Sequence, residues 1–125
     1  MWAIFVEAID MNNRNRNHSF YLSAKWKHKR ERVMRHYKYE DQEAKRYGHT
    51  VTATLIHHIY PLDKYPELGM ETWNLLPLSN ATHNKMHDRY TDDITANGIY
   101  WQRKRKKEFD KFKSENNFTP APSKK

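Results

Sequence analysis

The chain has 125 residues, of which 37% are hydrophobic, and this suits one compact domain with a modest core. Its 23 Lys and Arg residues outnumber 15 Asp and Glu residues, and the formal net charge of +8 favours a polyanionic partner over an acidic small substrate. Cysteine is absent, which excludes disulfides and thiolate metal sites and fits the reducing cytoplasm in which we expect the protein to act.

The first residues predict a strand and then a polar linker. Met1–Ile9 is rich in apolar residues, but Glu7 interrupts it, and it has neither the basic start of a signal peptide nor the length of a membrane span. We therefore expect no membrane partner. The predicted organisation is a strand and linker over residues 1–19, a main domain over 20–113 and a disordered tail over 114–125. The residues that indicate the linker are Asn12, Asn13 and Asn17.

A helix is predicted over residues 23–37, with Ser23 as its N-cap. The residues that recur at helical spacing are Trp26, Arg30, Val33, Met34 and Tyr37. The other face of this helix is basic, and such a face is either solvated or in contact with phosphates. The candidate phosphate-binding residues on the helix are Arg30, Arg32 and Arg35.

Two strands are predicted further along the chain. Thr50–Ile59 is rich in Thr, Val and Ile, which have high β propensity, and alternation would place Val51, Ala53 and Leu55 on one face. A proline ends this strand. After a loop that contains proline and glycine, the apolar stretch Trp73–Leu78 predicts the second strand.

Helices are predicted after the second strand. Ser79 is placed to cap a helix that runs to about Tyr90. Asn97-Gly98 predicts a turn, and Ile99–Lys113 predicts another helix that carries a basic block. The candidate phosphate-binding residues in that block are Arg103, Lys104 and Arg105. Two neighbouring aromatic residues either stack on bases or pack against the domain: Tyr100 and Trp101.

Four of the eight histidines form an ordered set with one asparagine. His57 and His58 are adjacent, Asn74 follows sixteen residues after His58, His83 nine residues later, and His87 four residues after that. Adjacent residues on a strand point to opposite sides, so we expect His57 and His58 to have different roles. On a helix, His83 and His87 would share one face and could converge on one ion.

This order of residue types, from about residue 20 to residue 89, resembles the HNH endonuclease family. Many members also have the pattern Phe-Tyr-x-Ser-x-x-Trp-x-x-x-Arg before the site, and this chain has Phe20, Tyr21, Ser23, Trp26 and Arg30 at those positions. The resemblance implies an α+β fold with a ββα-metal, or His-Me finger, core and flanking α-helices.

The resemblance also implies roles for the ordered set. His57 and His83 would be metal ligands, His58 the general base, and Asn74 would orient that base by hydrogen bonding across the two strands. The cofactor would be one divalent ion, Mg²⁺, Mn²⁺, Ni²⁺ or Zn²⁺. His87 is either a further ligand, as in the His-xxx-His pair of bacterial toxin nucleases, or a solvent-facing histidine near phosphate.

The chain departs from the family at its structural zinc site. Where members often have Cys-Gln-x-Cys and a second Cys-x-x-Cys-His, this chain has Asp41-Gln42-Glu43-Ala44 and Ser79-Asn80-Ala81-Thr82-His83. We therefore expect no structural zinc, and apolar contacts must hold the fold instead. The candidate core residues are Trp26, Tyr37, Tyr39, Leu55, Trp73, Leu75 and Leu78.

The function that the resemblance implies is metal-dependent DNA cleavage. One alternative is a non-catalytic DNA-binding or phage packaging accessory module that keeps the metal for structure. Another is a basic RNA-binding protein, which the composition permits but no RNA-recognition signature supports. As a small stand-alone protein, this chain resembles the HNH proteins that phages carry, and some of those proteins assist genome packaging. The expected partners are therefore DNA and phage terminase.

Overall fold

The computed structural model describes residues 11–116. The predicted strand Met1–Ile9 and residues 117–125 of the predicted tail lie outside this range. No helix in residues 11–116 has the length and apolar character needed to cross a membrane. The helices are α1 Met11–Leu22, α2 Ala24–His36, α3 Gln42–Arg46, α4 Asn80–His83, α5 Ala96–Lys104 and α6 Lys106–Asn116, the strands are β1 Leu55–His58 and β2 Leu75–Leu78, and two short 3₁₀ turns cover Pro66–Leu68 and Thr72–Asn74.

The two strands form an antiparallel hairpin whose register sets the geometry of the site. His57 pairs with Leu76, and His58 pairs with Leu75. Because directly opposed residues share a face of the sheet, His57 and Leu76 face one side and His58 and Leu75 face the other. The fold class predicted from the sequence is confirmed, since the protein combines this sheet with flanking α-helices.

Helix α2 covers the His58 face of the hairpin. Its predicted N-cap is confirmed, because the Ser23 hydroxyl accepts a hydrogen bond from the Trp26 backbone at 3.1 Å. The apolar side of the helix is buried against the sheet. The buried residues of this layer are Trp26, Val33, Met34, Ala53, Ile56 and Leu75.

Helices α5 and α6 cover the His57 face. Tyr60, two residues after β1, stacks on Phe109 of α6 with ring centroids 4.0 Å apart. Trp101 is buried, while Tyr100 beside it is 37% exposed, so only one of this aromatic pair belongs to the core. The buried residues of this layer are Ile59, Tyr60, Leu68, Leu76, Leu78, Met86, Trp101 and Phe109.

A buried carboxylate joins segments at the positions where the family often has its zinc cysteines. Asp41 is 0% exposed, and its carboxylate accepts hydrogen bonds from the Glu43 and Ala44 amides at 2.9 Å each. The same carboxylate accepts from the Ser79 amide at 2.9 Å and from the Thr82 hydroxyl at 2.6 Å. Asp41 therefore links the start of α3 to the start of α4, as a metal bridge between these segments would.

Part of the predicted core is correct. Trp26, Leu75 and Leu78 are buried, and Tyr37, Leu55 and Trp73 are half-buried against the two clusters. Tyr39 was wrongly placed in the core, because it is 39% exposed and its hydroxyl bonds to Glu31 on the surface.

The predicted linker over residues 12–17 is wrong, since these residues belong to α1. Asparagine has a weak helix propensity, but packing overrides such preferences. The end of α1 carries Phe20 and Tyr21, whose rings lie 5.0 and 5.7 Å from the Trp26 ring. These contacts give the helix a tertiary reason to form.

The predicted first strand is too long. Residues 50–54 do not join the ladder, apart from one bridge between Thr52 and Glu40, and Val51 is exposed, not on a buried face. The first strand is short because its partner β2 has four residues, so the ladder between the strands contains four pairs. The Ala53 amide bonds to the Tyr39 carbonyl at 2.8 Å instead.

The helices after β2 also differ from the prediction. Helix α4 ends at His83, and the predicted extension to Tyr90 contains a turn in which the Asp88 carboxylate accepts from the Tyr90 and Thr91 amides. Asn97-Gly98 lies inside α5, which Thr95 caps. The single helix predicted over Ile99–Lys113 is two helices that meet at Arg105, and residues 114–116 of the predicted tail are helical.

Candidate active site

Three histidines meet on the α5–α6 side of the hairpin. His57 is buried in β1, and its ring centroid lies 5.2 Å from that of His83 and 6.0 Å from that of His87. His87 is not on the helix that carries His83, so the predicted helical pair is wrong. His87 lies in the segment after this helix, where an isolated β-bridge pairs it with Ile94. The chain thus brings together the three residues predicted as metal ligands.

The surroundings of His57 and His83 favour the neutral imidazole, which is the form that binds metal. Burial lowers the pKa of His57 well below its ordinary value, and repulsion from His83, His87 and His58 lowers it further. Burial and then the neighbouring His87 lower the pKa of His83 as well. Neutral nitrogen donors suit a transition metal. Within residues 11–116, no group of three or more His, Cys, Asp or Glu side chains is arranged to hold a metal ion, so at most two of these imidazoles could bind one ion as they stand and oxygen ligands would have to supply the rest.

His58 is held on the opposite face of the hairpin. Its ring stacks on Trp26 with centroids 5.3 Å apart, and its Nε2 lies 3.1 Å from the Gly69 carbonyl oxygen. Because a carbonyl only accepts, Nε2 carries the hydrogen of the neutral ring and Nδ1 keeps a lone pair. Burial lowers the pKa of His58, while the bond to Gly69 opposes that effect, so the ring is neutral at pH 7.

The free nitrogen of His58 faces a tyrosine that the sequence prediction did not include in the site. The Tyr21 hydroxyl lies 3.4 Å from Nδ1. Tyr21 is 41% exposed, so it stands between His58 and solvent. Burial raises the pKa of this hydroxyl, as does the charge of Asp63, and the group remains a donor at neutral pH. Its position in the Phe-Tyr pattern was the available sequence signal.

Within residues 11–116, the Asn74 side chain hydrogen-bonds across the two strands to Tyr60, two residues after His58, and not to His58 itself. Its amide oxygen accepts from the Tyr60 amide at 2.7 Å, and its amide nitrogen donates to the Tyr60 and Leu68 carbonyls at 3.1 and 3.2 Å. These bonds close the loop between the strands. The loop in turn presents the Gly69 carbonyl, next to Leu68, to His58.

Gly69 is a further residue that the sequence prediction missed. A Cβ at this position would lie 2.9 Å from the Leu62 Cδ1 atom and 3.1 Å from the Phe20 ring. Glycine therefore lets the loop pack closely on Leu62 and Phe20, in the position from which its carbonyl contacts His58. The sequence signal was a glycine in the loop between two strands, which alone has no functional meaning.

The six predicted phosphate-binding residues have different surroundings. Arg30 donates to the Thr54 carbonyl at 2.9 Å and so joins α2 to the segment before β1. The other two on α2 are exposed, with Arg35 3.6 Å from Glu31. On the α5 side, Arg105 is half-buried beside Glu108 at 3.3 Å. The remaining exposed residues of the set are Arg32, Arg103 and Lys104.

No protein-family model matches the chain, and no curated protein matches it. Among solved structures, it is similar to the HNH endonuclease of the deep-sea thermophilic bacteriophage GVE2, which was crystallised with a manganese ion. The two share 21% sequence identity with a TM-score of 0.57, over 85% of this chain and 96% of the phage protein. The chain therefore has the α+β fold of a phage HNH endonuclease.

Proposed function

We propose that this protein is a DNA endonuclease that hydrolyses phosphodiester bonds with the help of one divalent metal ion. The observation that carries the proposal is the division between adjacent residues. His57 lies with His83 and His87 on one face of the hairpin, whereas His58 is on the other face, with Nε2 bonded to the Gly69 carbonyl and Nδ1 facing the Tyr21 hydroxyl at 3.4 Å. Hydrolysis of a phosphodiester needs both a bound cation and a base. The first face offers ligands for the cation, and the second face offers the base.

On the first face, His57 and His83 would hold the ion, and His87 lies further from His57, with ring centroids 6.0 Å apart. A bound divalent ion supplies charge that stabilises the phosphate as negative charge builds on it. The solved phage neighbour contains manganese, so Mn²⁺ is the first ion to test. DNA is the substrate that we propose on the same grounds, while contact with phage terminase stays a prediction from the resemblance alone.

On the second face, the neutral His58 takes a proton from water through Nδ1. The hydroxide oxygen attacks phosphorus, the bond to the 3′ oxygen breaks, and that oxygen takes a proton from solvent water, so the products carry a 5′-phosphate and a 3′-hydroxyl while His58 returns its proton to solvent. The Gly69 carbonyl stabilises the imidazolium that forms, since Nε2–H already points at it. Trp26 and Phe20 fix the ring plane by packing, with centroids 5.3 and 5.9 Å away.

Replacing Tyr21 by Phe should lower kcat about fivefold and leave KM unchanged. The hydroxyl faces the nitrogen that must receive the proton, so it is placed to orient the attacking water, and one such hydrogen bond contributes about 1 kcal/mol. Steady-state cleavage of a fluorescent duplex measures both constants. An unchanged kcat would mean that Tyr21 only shields His58, and a raised KM would move its role to DNA binding.

Replacing His83 by Ala should weaken metal binding more than replacing His87 by Ala. The His83 ring lies closer to His57, 5.2 Å against 6.0 Å between centroids. Isothermal titration of Mn²⁺ ranks the two variants, and affinity in the wild type should fall as acid protonates the imidazoles. If His83→Ala binds the ion as tightly as the wild type, the ligand set proposed here is incorrect.

The experiment that tests the function is cleavage of supercoiled plasmid by the purified protein, first with EDTA and then with each metal added back. We expect no cutting in EDTA and nicked or linear products with at least one ion. Binding of DNA without cutting under any ion would favour the non-catalytic DNA-binding or packaging module instead.

A further inference from the structure

Two adjoining cavities form a groove along α3 and the C-terminal end of α5. The first has a volume of about 250 Å³, and the second, about 320 Å³, shares Tyr37, Gln42 and Lys45 with it. None of the residues that line them is one of the four site histidines, Tyr21 or Asn74. We call this surface the α3–α5 groove.

The lining of the α3–α5 groove is strongly basic. It includes five cations and a single carboxylate, that of Glu40, which pairs with Lys45 at 3.2 Å. Two of the cations, Lys38 and Lys104, form no ion pair with any residue from 11 to 116. Such a groove concentrates positive potential where an anionic chain could lie. The five cations are Lys38, Lys45, Arg46, Lys104 and Arg105.

One lining residue has a donor without a partner. The Arg105 Nε atom is buried and has no hydrogen-bond acceptor among the residues that the structure describes. An unsatisfied buried donor costs about 1 to 3 kcal/mol, more when it is charged. Arg105 therefore brings to the groove wall a guanidinium whose pair with Glu108, at 3.3 Å, leaves one donor unsatisfied among residues 11–116.

The groove also offers an aromatic surface. The Arg46 guanidinium lies 3.6 Å from the centroid of the Tyr100 ring. Its Nε and Nη2 atoms donate hydrogen bonds to the buried carboxylate of Glu43 at 3.0 and 3.1 Å. Tyr100 is partly exposed, unlike Trp101 beside it. Planar guanidinium and phenol groups accept stacked bases, which an acidic peptide lacks.

We propose that the α3–α5 groove binds a strand of DNA away from the bond that is cut, through its phosphates and with Tyr100 and Arg46 against the bases. The proposal rests on the proposed function for the identity of the polyanion as DNA. The proposal gives Lys45 and Arg46 a role in DNA binding that their sequence context does not indicate. It places them on the same binding surface as Lys104 and Arg105.

The test compares two double variants that remove the same charge. Lys45→Ala/Lys104→Ala removes one paired and one unpaired lysine of the groove. Lys64→Ala/Lys111→Ala removes a matching pair elsewhere, because Lys111 pairs with Glu115 at 3.8 Å and Lys64 forms no ion pair within residues 11–116. Fluorescence anisotropy gives the affinity for a labelled duplex at several salt concentrations, in EDTA so that no cutting occurs. Thermal unfolding of both variants verifies the fold.

We expect the log-log salt slope of the groove variant to fall by about 1.8, since each lost phosphate contact contributes about 0.9, and that of the control variant to stay at the wild-type value. Equal losses in both variants, or no loss in either, would overturn the proposal.

Polyglutamate that displaces the duplex as well as unlabelled DNA of equal charge would overturn the assignment to nucleic acid. If the groove variant unfolds, Lys104→Gln alone should still lower the slope by about 0.9. Because the assay needs no cleavage, its outcome is independent of whether the protein cuts.

Discussion

We expect the His58→Ala variant to cut DNA at least roughly 10²-fold more slowly than the wild type. His58 is the residue whose free Nδ1 is available to accept a proton from water, because the Gly69 carbonyl occupies Nε2. Its pKa is lowered by burial, so the ring is in the neutral, proton-accepting form at pH 7. Single-turnover cleavage at saturating DNA and metal measures the loss.

The matched control for this variant is His49→Ala, which removes an exposed imidazole outside the site. It should cut at the wild-type rate. Because His58 packs on Trp26, His58→Gln, which fills more of the space, should show the same loss if the Ala variant folds poorly. A variant that still cuts at the wild-type rate would place the base elsewhere, with His57 the first residue to examine.

We expect Asp41→Ala to reduce the free energy of unfolding by about 3 kcal/mol. The change leaves four donors without their acceptor: the amides of Glu43, Ala44 and Ser79 and the Thr82 hydroxyl. Two of these donors are amides in the first turn of α3, which Asp41 caps. The other two belong to the segment that begins α4 and leads to His83. Urea unfolding measures the change, and Glu71→Ala, which removes an exposed carboxylate that caps nothing, is the control.

Asp41 should also make stability depend on pH. Burial alone would raise its pKa, but the hydrogen bonds from Thr82, Ala44 and Ser79 prevail and lower the pKa below the ordinary value of 3.8. A group whose pKa is lower in the folded state stabilises the fold above its unfolded pKa, and that contribution is lost as pH falls through the folded value. The stability of the wild type should therefore decline below about pH 5, and more steeply than that of Asp41→Asn. Equal slopes for the two proteins would show that the carboxylate contributes little.

Local sequence signals were sufficient for α2 and for the division of the two adjacent histidines. Ser23 and the apolar spacing from Trp26 to Met34 act within one helix, so the N-cap and the buried face could be predicted without the tertiary structure. The opposite orientations of His57 and His58 follow from strand alternation alone.

The remaining features depend on contacts between distant residues. Helix α4 is short because the segment after His83 folds back and pairs His87 with Ile94, and Gly98 allows it, since a Cβ there would lie 2.7 Å from the Met86 carbonyl. Asn74 closes a loop instead of reaching His58 directly. The link that Asp41 makes could not be recognised from the sequence, because its partners Ser79 and Thr82 are about forty residues away along the chain.

The most direct test of the central claim, that neighbouring histidines separate metal binding from proton transfer, is calorimetric titration of Mn²⁺ into His57→Ala and His58→Ala side by side. We predict that His57→Ala loses measurable affinity for the ion, whereas His58→Ala binds it as the wild type does, because the two imidazoles lie on opposite faces of the hairpin and only His57 lies beside His83. Equal losses of affinity in the two variants, or wild-type affinity in His57→Ala, would contradict the account.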